Sequence, residues 1–247
     1  MHRAPLFCFP YSGASAMVYR RWQRALPHPW EIRPVELPGR GTRMAEPLQD
    51  DLRALAREGA RTLAGEVDGG RRYALFGHSL GALLALETAH AMRELGASTP
   101  DVLIVSGTGA PATRPTPSTA RTRTDAELVG LLRRLEGTPE AVFDHDELLQ
   151  LLLPVLRADL AMCDGYAARE RMPLGCPLHA FGGRRDTPDV GALDAWRRET
   201  RGAFALHLFD GHHFFIHAHE PAVLRTVASV LAAPRSTVTD ARLRIDE

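Results

Sequence analysis

Six short apolar runs, separated by stretches with helical periodicity, constrain this chain of 247 residues more than any other feature. The runs are LFCF at 6–9, IRPV at 32–35, YALF at 73–76, VLIVS at 102–106, LHAF at 178–181 and ALHLF at 205–209. Helical patterns fall between and beyond them, near 15–26, 50–66, 80–95, 189–201 and 220–233. Strands buried on both faces read as continuous apolar runs, because neither face can be polar. Alternation of such strands with helices predicts an α/β fold, a mostly parallel sheet with helices on both faces. A chain of this length fits one large α/β domain or two small ones; a single domain is expected here over 1–233. The remaining polar stretch, PRSTVTDARLRIDE at 234–247, is expected to be a disordered tail.

One segment breaks the alternation. After VLIVS comes a polar, Pro-containing stretch, then 125–170, which reads as two or three helices without a strand. Ligands of open α/β sheets bind beyond the carboxyl ends of the strands, and an insertion leaving a strand there overhangs that site. The insertion, about 114–172, is therefore expected to be a lid. Its Leu148, Leu149, Leu151, Leu152 and Leu153 suit an apolar channel, or equally a plain core.

The chemistry concentrates where one run meets one helix. YALFGHSLGALLALETAHAM carries Gly77-His78-Ser79-Leu80-Gly81, a G-x-S-x-G pattern between a predicted strand and a predicted helix. That context is what a nucleophile elbow needs. The two glycines permit a turn too tight for side chains, and Ser79 is put under backbone strain at a helix N-terminus. A serine needs a base, and the base an orienting carboxylate, expected in the order Ser, Asp or Glu, His. Asp186 follows the LHAF run in the turn GGRRDTP, with Asp189 and Asp210 as rival orienters. The base belongs after ALHLF, where DGHHFFIHAH packs four histidines into 210–219. His212 and His213 compete for that role. His207 lies inside a strand, while His217 and His219 suit the entry to the last helix. His78 reads as a packing residue, and Phe214, Phe215 and Ile216 as a buried turn. Two backbone amides are needed for an oxyanion: Leu80 after the nucleophile, and Tyr11 or Ser12 in the FPYSGA loop after the first strand.

Composition removes several other classes. The formal net charge is +0, so no polyanion partner is indicated. All 30 basic residues are Arg, which reads as codon usage and not as a nucleic-acid signal. Cys8, Cys163 and Cys176 are too few and too scattered for a disulfide framework or a zinc site, and are expected to be reduced, buried and inert. Neither a signal-peptide pattern nor a bilayer-spanning apolar run is present, so a cytoplasmic protein is expected, with no membrane partner.

Taken jointly, the elbow, the order Ser79–Asp186–His213, FPYSGAS, VELPGRGTRMAEP at 35–47, LPVLRADLAMCDGY at 153–166 and GHHFF at 211–215 resemble type II thioesterases. These are the free-standing editing enzymes of polyketide and non-ribosomal peptide synthesis, in the α/β-hydrolase superfamily. The resemblance runs to about residue 233. It implies an α/β-hydrolase fold and a catalytic triad of Ser79, Asp186 and His213, with Leu80, Tyr11 and Ser12 as oxyanion donors. It also implies an acyl substrate on the phosphopantetheine of an acyl or peptidyl carrier protein, and no cofactor or metal of the enzyme's own. Two stretches, at three positions, depart from the family pattern. Ser12 and Ala14 stand where the early loop usually has Ala and a second Gly, and His212 stands where the catalytic His usually follows Gly. The rival readings are a general carboxylesterase or lipase, a non-catalytic hydrolase-fold binding module and a metalloprotein built on the His cluster.

Overall fold

A computed structural model describes residues 3–67, 71–116, 123–135, 137 and 140–233. The expected tail at 234–247 lies outside the described residues. The six apolar runs form six strands: β1 Ala4–Phe9, β2 Trp30–Pro34, β3 Ala74–His78, β4 Leu103–Ser106, β5 Leu178–Gly183 and β6 Phe204–Phe209. They make one sheet in the order β2-β1-β3-β4-β5-β6, and every pairing is parallel.

The helices are α1 Leu52–Glu66, α2 Leu80–Glu94, α3 Asp125–Leu135, α4 Glu140–Phe143, α5 Asp146–Asp164, α6 Val190–Asp194, α7 Phe215–Ala218 and α8 Glu220–Ala232. The period of two along β1 divides the core: Phe7 and Phe9 pack on the side of α1 and α2, Leu6 and Cys8 on the side of α8. Helix α2 is buried around its whole circumference from Leu80 to Met92, which explains a composition with hardly a polar face.

Two helical stretches differ from their expected form. Residues Ala16–Arg24 wind as a 3₁₀ segment, and the 189–201 pattern splits into α6 and a 3₁₀ turn Ala195–Glu199. The insertion contributes α3, α4 and α5 and no strand among its described residues. Its leucines do not act alike. Leu153 is buried in a small core with Leu128, Leu132 and Leu156, whereas Leu148 and Leu151 are 46% and 63% exposed.

Strand order places the site. From β1 the chain steps outward to β2, then returns across β1 to β3 and continues the other way. The order reverses between β1 and β3, and the loops leaving their carboxyl ends splay apart there to form a crevice. Those loops are 10–14 and the turn that holds Ser79.

Candidate active site

The β3–α2 turn is as tight as its glycines imply. A Cβ on Gly77 would lie 2.0 Å from the Gly81 carbonyl oxygen, and one on Gly81 would lie 2.2 Å from the Phe9 oxygen. Ser79 has φ 56° and ψ −117°, the one positive φ at a non-glycine among the described residues. Such a conformation costs about 1–3 kcal/mol and persists only where the surroundings impose it. Here the amide of Ser79 donates to the Ser106 carbonyl at 2.7 Å, pinning the turn to β4. The close approach to β1 carries a prediction. Gly81→Ala drives a methyl into backbone that cannot retreat, and should destabilise the protein by about 3 kcal/mol or more. Urea unfolding measures this; a loss under 1 kcal/mol contradicts the packing.

Parallel pairing of β5 and β6 runs on past the strand ends and brings two loops together. The Arg184 amide donates to the Phe209 carbonyl at 2.8 Å and the Arg185 amide to that of Gly211 at 3.0 Å. Gly183 makes the approach possible, since a Cβ there would sit 2.6 Å from the His212 oxygen. Gly211 turns the second loop at φ +105°. As a result the Asp186 carboxylate lies 3.0 and 3.2 Å from His213 Nδ1. The carboxylate is 3% exposed, so water competes little for it. Its Oδ1 also accepts the Thr187 amide at 2.7 Å, which fixes its rotamer.

The rival orienters are otherwise engaged. Asp189 caps α6 by accepting the Ala192 amide at 2.7 Å, and Asp210 faces Arg184 at 3.7 Å with its side chain 76% exposed. His212 turns away from Ser79, with Nδ1 3.1 Å from the Arg185 carbonyl oxygen. Phe215–Ala218 is a single helical turn where a buried turn was expected, and Phe215 and Ile216 are its buried residues. His217 sits on that turn, 3.0 Å from the Tyr11 hydroxyl, and His219 occupies the N-cap position of α8 without a side-chain capping bond. His78 is fully buried, with Nδ1 2.9 Å from Ser106 Oγ. Burial, then repulsion from His213 and His217, holds its pKa well below the ordinary imidazole value, so it stays neutral.

Ser79 and His213 line one cleft of about 430 Å³, together with Ser12, Leu80, Leu160 and Cys163. Among the described residues no hydrogen bond joins Ser79 Oγ to His213; catalytic hydrogen bonds commonly tighten only when substrate binds. Leu80 is the first residue of α2, so its amide has no carbonyl a turn earlier to donate to. In the 10–14 loop the Ala14 amide bonds the Tyr11 oxygen at 3.0 Å, and the Gly13 amide bonds Asp159 Oδ2 at 2.7 Å. Tyr11 and Ser12 keep amides without an intramolecular acceptor among the described residues.

Three features escaped the sequence reading. Cys163 is half-buried in the cleft wall, where a buried thiol was expected; burial pushes its pKa up to about 11, which keeps it protonated. Tyr11, Phe214 and His217 form one aromatic cluster beside the His213 loop, with Tyr11 and Phe214 rings 4.8 Å apart. A Cβ on Gly137 would lie 2.0 Å from the Phe214 ring, so the insertion reaches this cluster. Finally, a buried Arg40–Asp159 pair joins PGRG to α5, with Arg40 Nη1 2.5 Å from Oδ2 and Nη2 2.7 Å from Oδ1. Alternate signs on PGRG and LRADLAM hint at such a pair, but nothing in a single sequence pairs residues 119 apart. No group of three or more His, Cys, Asp or Glu side chains gathers as a metal site among the described residues. No helix among them is long and apolar enough to cross a membrane.

Comparison with known proteins is consistent with this geometry. A family model described as a thioesterase domain matches residues 4–231. A protein of Brevibacillus parabrevis named linear gramicidin dehydrogenase LgrE is 40% identical over 92% of this chain and 87% of its own length. Its name refers to a dehydrogenase, whereas the family model and the structural relatives are thioesterases. RedJ, a thioesterase from the prodiginine biosynthetic pathway in Streptomyces coelicolor, superposes with a TM-score of 0.86 at 36% identity, over 93% of this chain and 91% of that one. The type II thioesterase BorB from the borrelidin biosynthetic cluster superposes with a TM-score of 0.83 at 36% identity, over 93% of each chain.

Proposed function

The chain belongs to the thioesterase family, and we propose that it is an editing thioesterase of polyketide or non-ribosomal peptide synthesis. It releases acyl groups from the phosphopantetheine thioester of acyl or peptidyl carrier proteins, in the cytoplasm, with no cofactor of its own. The observation that carries this is the Asp186–His213 pair beside Ser79 in a cleft at the switch point of the sheet. RedJ, named as a thioesterase of the prodiginine biosynthetic pathway, and BorB, named as a type II thioesterase of the borrelidin biosynthetic cluster, support this reading.

In this reading Ser79 Oγ attacks the thioester carbonyl carbon while its proton passes to His213 Nε2. The carbonyl oxygen takes the negative charge and receives hydrogen bonds from Leu80 and from Tyr11 or Ser12. Each such donor contributes about 3 kcal/mol to the barrier reduction. The C–S bond then breaks, and His213 returns the proton to the leaving thiolate, a far better leaving group than an alkoxide given a thiol pKa near ~8.5. Water attacks the acyl-serine by the mirrored sequence: its proton goes to His213, then to Ser79 Oγ, and the free acid departs. Asp186 holds the imidazole in one tautomer and stabilises its cation.

Intact-protein mass spectrometry of acyl-loaded carrier proteins, before and after addition of the protein, tests the reading. The expected result is conversion to the unacylated phosphopantetheine form. Carriers that stay loaded, beside efficient cleavage of an oxygen ester with the same acyl group, would point to a general carboxylesterase. Asp186→Asn should lower kcat by about 10⁴-fold by presenting the wrong imidazole tautomer, with little change in unfolding temperature. If Asp189→Asn or Asp210→Asn is the crippling change, the orienter is another residue.

The insertion acts as a lid in this reading, but α5 does not open as one body. Its second half is tied down by Val155, Leu156, Asp159 and Met162, all buried, while Leu148 and Leu151 near its start face solvent. Hydrogen exchange should therefore open α3, α4 and the first turns of α5 well before the sheet. Protection there equal to that of β3 and β4 would remove the lid role.

A further inference from the structure

We infer that Arg40 and Asp159 are positioning residues for the oxyanion hole, so that the seat of α5 sets the geometry of the 10–14 loop. The inference rests on the hydrolase reading above and concerns two motifs that the triad leaves without a task, PGRG and LRADLAM. Gly39 and Gly41 have φ of +77° and +51°, and these turns direct Arg40 inward. Arg40 is 6% exposed and Asp159 is fully buried. Nη1 and Nη2 grip the carboxylate in parallel, at 2.5 and 2.7 Å, and Nη1 also reaches the Ala14 carbonyl at 3.4 Å. The same carboxylate accepts the Gly13 amide at 2.7 Å.

The loop is therefore held at two consecutive residues, through the amide of Gly13 and the carbonyl of Ala14, by one ion pair. Pro10 has no amide hydrogen, Ala14 donates to Tyr11 and Gly13 donates to Asp159. What remains are the amides of Tyr11 and Ser12, and Ser12 lies in the cleft with Ser79. Gly13 needs its tie because φ +79° is held by nothing in its own residue type. Leu152 and Leu156 close over it, so that a Cβ would meet Leu152 Cδ1 at 3.3 Å.

Stability alone does not account for this arrangement, since a well-packed apolar pair commonly matches or exceeds a buried ion pair. What the pair adds is direction: a bidentate fork fixes both angle and distance, which apolar contact does not. Leu160 and Cys163 on the same helix line the cleft, so a shift of α5 moves the acyl wall and the oxyanion donors together. A misplacement of about 1 Å at a reacting centre can cost about 100-fold in rate.

The test uses the double variant Arg40→Met/Asp159→Leu with an acyl-N-acetylcysteamine thioester, and a trifluoromethyl ketone of the same acyl chain that places an oxyanion in the hole. The double variant is expected to unfold within a few degrees of wild type. Its kcat should fall about tenfold to 100-fold, with KM within threefold and the ketone Ki raised by the factor lost in kcat/KM. A folded double variant with kcat within twofold of wild type overturns the inference, and so does a loss confined to KM or an unchanged Ki. If the double variant does not fold, Asp159→Asn, which keeps shape and an acceptor for Gly13 but releases Arg40, is judged by the same three readouts. Wild type without thioester turnover removes both this inference and the proposed function; an active wild type beside an unaffected variant removes this inference alone.

Discussion

Ser79→Ala should give a protein that folds and unfolds like wild type yet hydrolyses acyl thioesters about 10⁶-fold more slowly, the scale of losing the nucleophile in a triad. The substitution takes away one oxygen on a half-buried side chain and leaves the turn intact. The strain at φ 56° is imposed by Gly77, Gly81 and the bond from the Ser79 amide to Ser106, none of which involves Oγ. Stability should therefore change by less than about 1 kcal/mol, or even improve, since active sites often store strain at such residues. What survives is catalysis by the oxyanion donors acting on bound water, which leaves a small residual above the uncatalysed rate. Turnover above a tenth of wild type, measured on carrier-bound acyl groups, would mean that the nucleophile lies elsewhere.

The elbow was legible in the sequence for the reason it is tight. A turn that brings Gly81 within reach of the Phe9 carbonyl admits only glycine, so chemistry and sterics leave the same letters. The inner strands β1, β3 and β4 were legible because double-sided burial excludes polar residues, while edge strand β2 keeps Arg33 exposed; all six runs become strands within two residues at each end. Short helices were less so. Ala16–Arg24 has the right amphipathic spacing but winds as 3₁₀ where it packs against β2, a distinction that apolar spacing over nine residues does not make. Phe215–Ala218 looks like a turn because four residues are too few to show a helical period. Cys163 could not be told from a core cysteine, since both need a small apolar neighbour set, and only the position of α5 opens it to the cleft. The Arg40–Asp159 pair lies furthest from local reading. Each half looks like an ordinary surface charge until the fold buries both.

Among the histidines of DGHHFFIHAH, His213→Ala should be as damaging as loss of Ser79, about 10⁶-fold in kcat, because base and nucleophile act as one unit. Its neighbour His212 offers the contrast, since the two differ by one position and share a loop. In a turn opened by Gly211 at φ +105°, successive side chains diverge: His213 goes to Asp186 at 3.0 Å, and His212 to the Arg185 carbonyl at 3.1 Å. His212 thus braces the Asp186 loop from outside the cleft. His212→Gly should keep at least about a fifth of the activity, the contact being one exposed hydrogen bond of about 1 kcal/mol at most. His217 is tied to the Tyr11 hydroxyl, and burial lowers its pKa, so it stays neutral and supports the early loop without moving protons. Zinc would need three or four ligands converging at about 2.0–2.1 Å, and adjacent side chains that point apart do not supply that. EDTA should accordingly leave the rate unchanged. A rate that dies with chelator and returns with zinc, or a dead His212→Gly beside a live His213→Ala, would transfer the base to another residue and with it the assignment of Asp186.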